Sequence, residues 1–523
     1  MNLYKALGKR YSFEGWQMGA TMSERPNILL ITTDQQHYSG LGRRTPLLQT
    51  PHLDRLADEG ALFDRAYCPN PLCSPSRSSL ITGQYPSTHG CWTIGTKLDE
   101  ERQTLGQLLG DGGYWTSLIG KAHFQPLRSV PEQTSLEAPP TLRDLDFWKG
   151  FSGPYYGFDH IELARNHGDE AWTGQHYALW MQERGLTDWR DYFQNEDGSI
   201  APREHCWDLP EEYHYTTFVA DRAVAAVDRA VTAGQPFFTW ASFQDPHPPY
   251  LVPEPWASMY DPADVEPGRM HPGELDLMSP WHRKTQEPNP DFGEWQETPH
   301  LNHGFSSHLI DEDLLRQNIA IYYGMISFID AGVGRILSRL DELGVADNTL
   351  VVFTTDHGHF LGQHGLIAKG AFHYEDLLRI PMIARFPGRI PPGHQSAALQ
   401  SLIDLAPTFL SAAGLPIPGD MQGVDQLSVW AGRRETARDH VLVENRHQPT
   451  KVHIRTYVDE RYKLTVYRDQ PWGELFDLVE DPDEHCNQFD NPAYEQIRSD
   501  LMQRFLNAEL RREASKYSRI AIA

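Results

Sequence analysis

The chain has 523 residues, with 46 Lys and Arg against 71 Asp and Glu and a formal net charge of −25. A chain of this length is too long for one simple core, so a large domain and a smaller second domain are expected. The acidic balance disfavours nucleic acid as a partner, because phosphate binding needs a basic surface, and it disfavours anionic membranes as well. An anionic substrate would need a local cluster of cations to outweigh this charge.

Residues 1–25 precede the first fold signal and are interpreted as an N-terminal tail. They contain no continuous apolar stretch typical of a secretory signal, and no run of roughly 18 apolar residues elsewhere predicts a transmembrane helix. The five cysteines are a sparse, odd set that predicts no disulfide framework and no structural zinc site. A cytoplasmic protein is therefore the expectation.

Short apolar, β-branched runs alternate with amphipathic helical patterns from Pro26 to about residue 430. The first helix is predicted to have Pro51 at its first position and Gly60 at its C-cap. Longer helices are predicted over 213–233 and 311–343. The predicted strands cover 27–34, 117–124, 236–243, 349–358 and 380–386. This alternation predicts an α/β domain over residues 26–430, with a doubly wound, mostly parallel sheet flanked by helices.

The pattern changes after about residue 430 to short alternating strands within 440–446, 453–468 and 473–478, followed by a helix over 493–510. This pattern predicts a smaller α+β domain over residues 431–523.

Two irregular stretches, 125–206 and 251–309, are expected to be excursions above the sheet edge. The tryptophans in and next to the first stretch are interpreted as core residues rather than as a sugar platform. They are Trp148, Trp172, Trp180, Trp189 and Trp207.

Polar, metal-capable residues stand at the ends of four predicted strands, in the sequences TDQ, GKAH, QDPH and TDHG. In a doubly wound sheet, ligands bind outside the carboxyl ends of the strands. The recurrence of such residues at this edge therefore predicts the functional site there.

The segment CSPSRSSLITG, residues 73–83, predicts a turn followed by a helix, with Ser74, Pro75 and Ser76 as start signals. A group at the helix N-terminus faces unpaired N–H groups, which suit an anion, and Arg77 adds a planar cationic fork. For an isolated cysteine such as Cys73, burial in a core is the commoner explanation.

The motif C-S-P-S-R followed by S-x-x-x-T-G resembles the signature of formylglycine-dependent sulfatases, in which the cysteine is oxidised to formylglycine. The resemblance covers nearly the whole chain, through PNILLITTDQ, GKAH, DPHPPY, TTDHGHFLGQHGLIAKGAFHYE, IDLAPTFLSAAGLP and GELFDLVEDPDEHCN. It implies the fold of the alkaline phosphatase superfamily and hydrolysis of a small-molecule or sugar sulfate ester. It also implies a formylglycine-generating maturation enzyme as a partner.

The resemblance further implies one divalent cation, held by an oxygen of modified Cys73 and by the side chains of Asp34, Gln35, Asp356 and His357. Such an oxygen-rich set favours Ca²⁺, with Mg²⁺ or Mn²⁺ as alternatives. Many sulfatases have two adjacent acids where this chain has Asp34 and Gln35, and Asn where it has His357. These variants reduce the negative charge of the site and leave the identity of the metal open.

The same resemblance assigns the remaining catalytic side chains. Arg77 belongs to the signature, and Lys121 and His123 of GKAH match the pair beside the formylglycine. His247 in DPHPPY matches the histidine near the leaving group, and Lys369 matches the lysine that contacts the sulfate. For the other histidines of the TTDHG segment, hydrogen bonding in loops or the core is the preferred interpretation. These are His359, His364 and His373.

Two other functions are compatible with parts of this pattern. A phosphonate monoester or phosphodiester hydrolase would share the modified cysteine and a similar metal set. Those relatives have hydroxyl residues in place of Lys121 and His123, so this pair favours a sulfatase. A non-catalytic anion-binding protein on the same fold would be expected to have lost some of the catalytic residues. All of them are present, namely Cys73, Arg77, His123 and His247. The oligomeric state is not predicted.

Overall fold

The computed structural model describes residues 25–165, 167–168, 170–193 and 205–513. Of the tail predicted at residues 1–25, only Arg25 lies within this part. The strands of the described residues are β1 (Asn27–Thr33), β2 (Ala61–Phe63), β3 (Ala66–Tyr67), β4 (Trp115–Gly120), β5 (His160–Leu163), β6 (His205–Cys206), β7 (Phe237–Ser242), β8 (Leu251–Val252), β9 (Thr349–Thr355), β10 (Phe360–Leu361), β11 (Ile367–Ala368), β12 (Arg379–Ile380), β13 (Met382–Arg385), β14 (His394–Ser396), β15 (Gln400–Ser401), β16 (Val441–Arg446), β17 (His453–Val458), β18 (Tyr462–Tyr467) and β19 (Gly473–Asp477).

The α-helices of the same residues are α1 (Pro51–Asp58), α2 (Cys73–Thr82), α3 (Pro86–His89), α4 (Leu105–Asp111), α5 (Leu145–Gly150), α6 (Gln175–Glu183), α7 (Tyr215–Thr232), α8 (Pro280–Lys284), α9 (Glu312–Glu342), α10 (Glu375–Leu378), α11 (Leu405–Ala412), α12 (Leu427–Trp430) and α13 (Glu495–Arg511).

The main sheet has eight strands in the order β14-β2-β13-β9-β1-β7-β4-β5. The five strands from β9 to β5 are mutually parallel, and β14 is parallel to β2. Only β13 runs antiparallel to its neighbours β9 and β2. The predicted mostly parallel α/β sheet is therefore confirmed.

Successive side chains of β1 pack on opposite faces of this sheet. Ile28 and Leu30 belong to one hydrophobic cluster with residues of α2, α4 and α11, whereas Leu29 and Ile31 belong to a second cluster with residues of α7 and α9. A parallel strand covered by helices on both faces must be apolar nearly throughout, and after Asn27 every residue of NILLITT is hydrophobic or β-branched. This two-sided cover is the doubly wound arrangement expected from the sequence.

Helix α9 is the one helix among the described residues that is long and apolar enough to cross a membrane. In its most apolar window, 89% of the residues are buried inside the protein. Asp311 caps its N-terminus by accepting hydrogen bonds from the N–H groups of Asp313 and Leu314. Such burial is typical of the core helix of a globular protein.

The C-terminal strands β16, β17, β18 and β19 form a separate four-stranded antiparallel sheet. Leu501 and Phe505 of α13 pack against Leu464 and Leu475 of this sheet. The predicted α+β C-terminal domain is confirmed, and its exact limits at residues 430 and 431 stay a prediction. Of the five tryptophans interpreted as core residues, four are buried, and Trp172 is half-buried.

Two glycines allow close contacts of the backbone that the sequence did not predict. The prediction of Gly60 as the C-cap of α1 is wrong by one residue, because the cap is Glu59. Gly60 is instead needed where the chain meets β13, since a Cβ there would lie 2.3 Å from the Ala384 carbonyl oxygen. Gly120 ends β4 with a φ of +98°, and a Cβ there would lie 2.0 Å from the Ser242 carbonyl oxygen. This turn moves Lys121 off the strand and toward the edge of the sheet.

Candidate active site

Cys73 is the first residue of α2 and is buried at the carboxyl edge of the main sheet. The preceding residue, Leu72, is extended, and its N–H donates to Asn70 Oδ1 at 2.9 Å, which fixes the turn into the helix. The Cys73 side chain therefore lies at a helix N-terminus, where unpaired N–H groups favour negative charge.

Four potential metal ligands meet at this point. Asp34 follows β1, and Asp356 and His357 follow β9, the parallel neighbour of β1. One ligand atom from each of these residues and the Sγ of Cys73 all lie within 4.8 Å of one another. Since the carboxyl ends of adjacent parallel strands coincide, the register of β1 and β9 brings the three residues together.

His357 is oriented so that one ring nitrogen faces this group. Its Nδ1 donates to the Gly358 carbonyl at 2.9 Å, and its Nε2 lies 3.2 Å from Cys73 Sγ. Burial lowers the pKa of His357 to about 3. The neutral ring thus presents a lone pair on Nε2, which is the form that binds a metal.

Gln35 is held at the same place with a free oxygen. Its φ is +64°, its N–H donates to Asp356 Oδ1 at 3.0 Å, and its Nε2 donates to His359 Nδ1 at 2.8 Å. Its buried Oε1 has no hydrogen-bond partner among the described residues. Carboxylate and amide oxygens with one imidazole fit a hard divalent cation, so the donors are suited to the metal implied by the sequence.

Arg77 joins the metal-capable residues to the rest of the site. Its buried guanidinium donates to Asp356 Oδ2 at 2.8 Å, to Ser242 Oγ at 2.7 Å and to the Lys121 carbonyl at 3.0 Å. Burial alone would raise the pKa of Asp356, but His357 and Arg77 hold it below its usual value. Nη2 of Arg77 has no partner among the described atoms and remains available to an anion.

Lys121 and His123 lie beyond the Gly120 turn. Lys121 is fully buried, and its Nζ contacts Asp34 Oδ2 and donates to His167 Nε2 at 2.8 Å. Asp34, His167 and His247 could themselves hold a metal ion. The ammonium of Lys121 lies against Asp34 and His167, so a second cation there would have to displace it.

His123 is positioned by its backbone rather than by its ring. Its N–H donates to Glu137 Oε2 at 2.9 Å, and the next two N–H groups donate to Glu137 Oε1. Burial and the nearby cations Arg165 and Lys121 lower the pKa of His123 well below its usual value. Its Nδ1 has no hydrogen-bond partner among the described residues, so the neutral ring can accept a hydrogen bond from a bound group.

Lys369 links Cys73 to His247. Lys369 Nζ lies 3.0 Å from Cys73 Sγ and 3.0 Å from His247 Nε2. The His247 ring stacks on the His167 ring, with centroids 4.0 Å apart and planes at 24°. Three of the predicted site residues contact Cys73 Sγ directly, namely Asp34, His357 and Lys369. Three more are joined to this group by hydrogen bonds or ion pairs, namely Arg77, Lys121 and His247.

The sequence interpretation missed His167, Arg165, Ser242 and Glu137. Arg165 forms a buried ion pair with Glu137 at 3.3 Å, and Ser242 binds Arg77. His167 follows β5, a short strand that the sequence pattern did not reveal. The rule that site residues follow strands would have selected Arg165 and His167 if β5 had been recognised.

The three histidines interpreted as loop or core residues are all buried. His373 Nδ1 hydrogen bonds to Thr456 Oγ1 at 2.6 Å, and His364 Nδ1 to Glu274 Oε1 at 3.1 Å. His359 has a role closer to the site, because it orients Gln35 while its other nitrogen hydrogen bonds to Tyr250 Oη at 2.9 Å.

Comparison with known proteins identifies the family. The family model described as Sulfatase matches residues 26–415. The chain belongs to the sulfatase family. A second model, described as N-sulphoglucosamine sulphohydrolase, C-terminal, matches residues 362–511 of this sulfatase. An arylsulfatase of Clostridium perfringens (strain 13 / Type A) is 28% identical over 507 residues, covering 94% of this chain and 96% of the relative. The protein is thus a sulfatase-family hydrolase of sulfate esters.

Two solved structures resemble this sulfatase over nearly its full length. A phosphonate monoester hydrolase from Silicibacter pomeroyi has a TM-score of 0.76 and 25% identity, covering 95% of this chain and 98% of that chain. The protein BT4656, in complex with its substrate D-glucosamine-2-N,6-O-disulfate, has a TM-score of 0.70 and 24% identity, covering 94% and 98%. The alkaline phosphatase-like fold expected from the sequence is thereby confirmed.

Proposed function

We propose that this enzyme cleaves a small-molecule or sugar sulfate ester with Cys73 oxidised to formylglycine and with one divalent cation. Ca²⁺ is the proposed ion, and Mg²⁺ and Mn²⁺ are the alternatives. The observation that carries the proposal is the position of Cys73 Sγ, 3.0 Å from Lys369 Nζ, 3.2 Å from His357 Nε2 and 3.5 Å from Asp34 Oδ1. A group on this side chain therefore lies beside two of the potential metal ligands and one cation of the site.

Oxidation of Cys73 supplies a hydrated aldehyde, whose first hydroxyl attacks sulfur and whose second releases sulfate on losing its proton. The cation, held by Asp34, Gln35, Asp356 and His357, would supply Lewis-acid polarisation at the sulfuryl oxygens.

The protein's own cations complete the binding of the sulfuryl group. Lys121, Lys369 and the unpartnered Nη2 of Arg77 would bind its oxygens and offset the charge that develops during transfer. These cations are concentrated at one place in the buried site, so they would bind an anion despite the net charge of −25. The carboxylate of Asp356, ionised beside Arg77, would accept the proton of the attacking hydroxyl.

Proton transfer to the leaving alcohol is proposed for His247. Its Nδ1 hydrogen bonds to the Pro248 carbonyl, and its Nε2 receives a hydrogen bond from Lys369. Lys369 can therefore pass a proton to Nε2 as the alcohol leaves. His123, with its free Nδ1, would remove the proton of the second hydroxyl and so complete the cycle.

A second candidate function is hydrolysis of phosphonate monoesters. It is favoured by the similarity to the phosphonate monoester hydrolase described above, which covers nearly all of both chains. The presence of Lys121 and His123 supports the sulfate ester as the preferred substrate. A sulfated sugar as the substrate is supported by the shared fold with the protein that binds a disulfated glucosamine.

The decisive experiment compares kcat/KM for an aryl sulfate and for the matching aryl phosphonate monoester, on wild type and on Cys73→Ala. We expect preference for the sulfate and loss of turnover with both esters in Cys73→Ala. Cys91→Ala is the matched control, because Cys91 is equally buried and its thiol donates to the Thr96 carbonyl, away from Cys73. A tenfold preference for the phosphonate, about 1.4 kcal/mol, would establish the second candidate. Retention of a tenth of the activity by Cys73→Ala would exclude the nucleophile.

A further inference from the structure

Three side chains from distant segments meet outside the active site. Glu274 lies in the excursion between β8 and α9, His364 in the turn after β10, and His485 in the loop after β19. Their potential ligand atoms all lie within 4.8 Å of one another. We propose that Glu274, His364 and His485 form a second metal site, specific for a zinc-class divalent cation, that ties the C-terminal domain to the loop carrying Lys369.

The contacts of Glu274 define the position of the cation. Its Oε1 lies 3.1 Å from His364 Nδ1, and its Oε2 lies 3.1 Å from His485 Nδ1. A tetrahedral zinc ion with bonds of about 2.0–2.2 Å separates its ligand atoms by roughly 3.3–3.5 Å. The two contacts use different oxygens of Glu274, and the three ligand atoms lie within 4.8 Å of one another. Side-chain movements on the order of 1 Å would therefore bring them into a shared coordination sphere.

The rings are held in the orientation that a metal site requires. His364 has a φ of +58° and stacks on Tyr374, with centroids 3.6 Å apart and planes at 7°. Its far nitrogen, Nε2, lies 3.6 Å from Asp376 Oδ2. A carboxylate behind the non-ligating nitrogen is the usual outer partner of a metal-bound histidine.

The other two ligands have their own supports. The His485 ring stacks on the His271 ring, with centroids 3.7 Å apart. The His271 N–H donates to Glu274 Oε2 at 2.8 Å, which fixes the carboxylate. The side chain of His485 is 29% exposed, so solvent can reach the cluster and a water can complete a four-coordinate ion.

The types of ligand atom give this site a different metal preference from the site at Cys73. Two imidazole nitrogens and one carboxylate oxygen are preferred by zinc-class ions, whereas the active site is richer in oxygen and suits a harder cation.

A cation bound at Glu274, His364 and His485 would stabilise the folded arrangement of the domains and would take no part in the reaction at Cys73. His364 lies five positions before Lys369 in the chain, and His485 lies in the C-terminal domain. A cation that bridges the two segments binds only the folded arrangement and so stabilises it by linkage.

The test is zinc binding by the full-length protein in an Asp34→Asn background, which weakens metal binding at the active site. We expect about one zinc ion per chain by elemental analysis after dialysis against micromolar zinc, and four-coordinate visible absorption bands with Co²⁺. Zinc should also raise the Tm. His485→Ala should lose the zinc, the absorption bands and the Tm shift together.

The matched control is His440→Ala. His440 also pairs with a carboxylate, Asp439, at 2.6 Å, and it lies outside the cluster, so this variant should keep the zinc. His485 is partly exposed, so its replacement tests the site even if the more buried His364→Gln variant fails to fold. Equal zinc content in His485→Ala and its parent, or no zinc in the parent, would overturn the proposal. None of these measurements depends on sulfate-ester hydrolysis, so they are independent of the proposed function.

Discussion

The ammonium of Lys369 lies 3.0 Å from the Sγ of Cys73. The same nitrogen lies 3.0 Å from His247 Nε2, so one cation links the proposed nucleophile to the proposed acid. Lys369→Met keeps the length of the side chain but removes its charge. We expect kcat for an aryl sulfate to fall by about 10²–10³-fold, as for loss of one donor to a developing charge. Lys149→Met is the control, because Lys149 is exposed and pairs with Asp146 of the same helix, α5. A loss below tenfold would contradict a role in sulfuryl transfer.

His247→Ala should affect substrates according to their leaving groups. A basic alkoxide needs a proton as it leaves, whereas an activated phenolate does not. General acid catalysis contributes about 10²–10⁴-fold, so the variant should lose this factor with an alkyl sulfate and far less with a nitrophenyl sulfate. The measurement is kcat/KM on a series of esters of graded leaving-group pKa. Equal losses across the series would indicate a positioning role instead.

His123→Ala should separate the two halves of the reaction. The first half releases the alcohol, and the second needs a base to take the proton of the remaining hydroxyl. We expect rapid release of about one equivalent of alcohol per modified enzyme, followed by very slow turnover. Stopped-flow detection of a chromogenic alcohol measures both phases. A variant that loses the first phase as well would show that His123 acts before or during sulfuryl transfer.

His167→Phe distinguishes the two contacts of His167. Phenylalanine keeps the stacking on His247 but removes the hydrogen bond from Lys121. A hydrogen bond to a charged group is worth about 1.5–3 kcal/mol, so kcat/KM should fall by roughly 10–150-fold if this bond orients the ammonium. His167→Ala should fall further, because it also removes the stacked ring. Wild-type activity in His167→Phe would limit the role of His167 to packing.

Asp245→Asn should change how stability depends on pH. Asp245 is buried, and its oxygens accept hydrogen bonds from Tyr215 and Thr216, yet burial raises its pKa to about 8. Unfolded aspartate titrates near ~3.9, so between these values the folded protein holds a proton that the unfolded chain has lost. Stability therefore falls as pH rises through this window, by up to about 1.4 kcal/mol per pH unit.

The asparagine variant cannot ionise and lacks this dependence. The urea midpoint of Asp245→Asn relative to wild type should rise steadily from about pH 5 to pH 7. A constant difference between the two proteins across this range would show that Asp245 is ionised in the folded state.

The sequence was sufficient to predict where the site lies. TDQ and TDHG follow two strongly apolar strands, and strands β1 and β9 are adjacent and parallel, so Asp34 and Asp356 had to meet. The hydrophobic pattern follows burial on the two faces of the sheet. The predicted bounds of the longest strands and helices therefore agree with the observed bounds to within a few residues. The signature around Cys73 then supplied the chemistry through resemblance.

The features that could not be predicted depend on short or irregular segments. Strand β5 has four residues, too few for a periodic pattern, so His167 could not be placed beside Lys121. Glu137 lies in a loop, and its contacts with the N–H groups of His123 and the two following residues depend on tertiary structure alone. The antiparallel direction of β13 is also invisible in its sequence, because both directions bury the same apolar side chains.

The burial of α2 determines when the proposed oxidation of Cys73 can occur. Every residue of this helix is buried, and Cys73 itself is 1% exposed. A maturation enzyme must surround the thiol with its own catalytic groups, and the native chain leaves no room for them. The proposed modification would therefore compete with folding during biosynthesis, and molecules that fold first would keep an unmodified cysteine. The specific activity of a preparation would then report how fast the chain was synthesised relative to the supply of the oxidising enzyme.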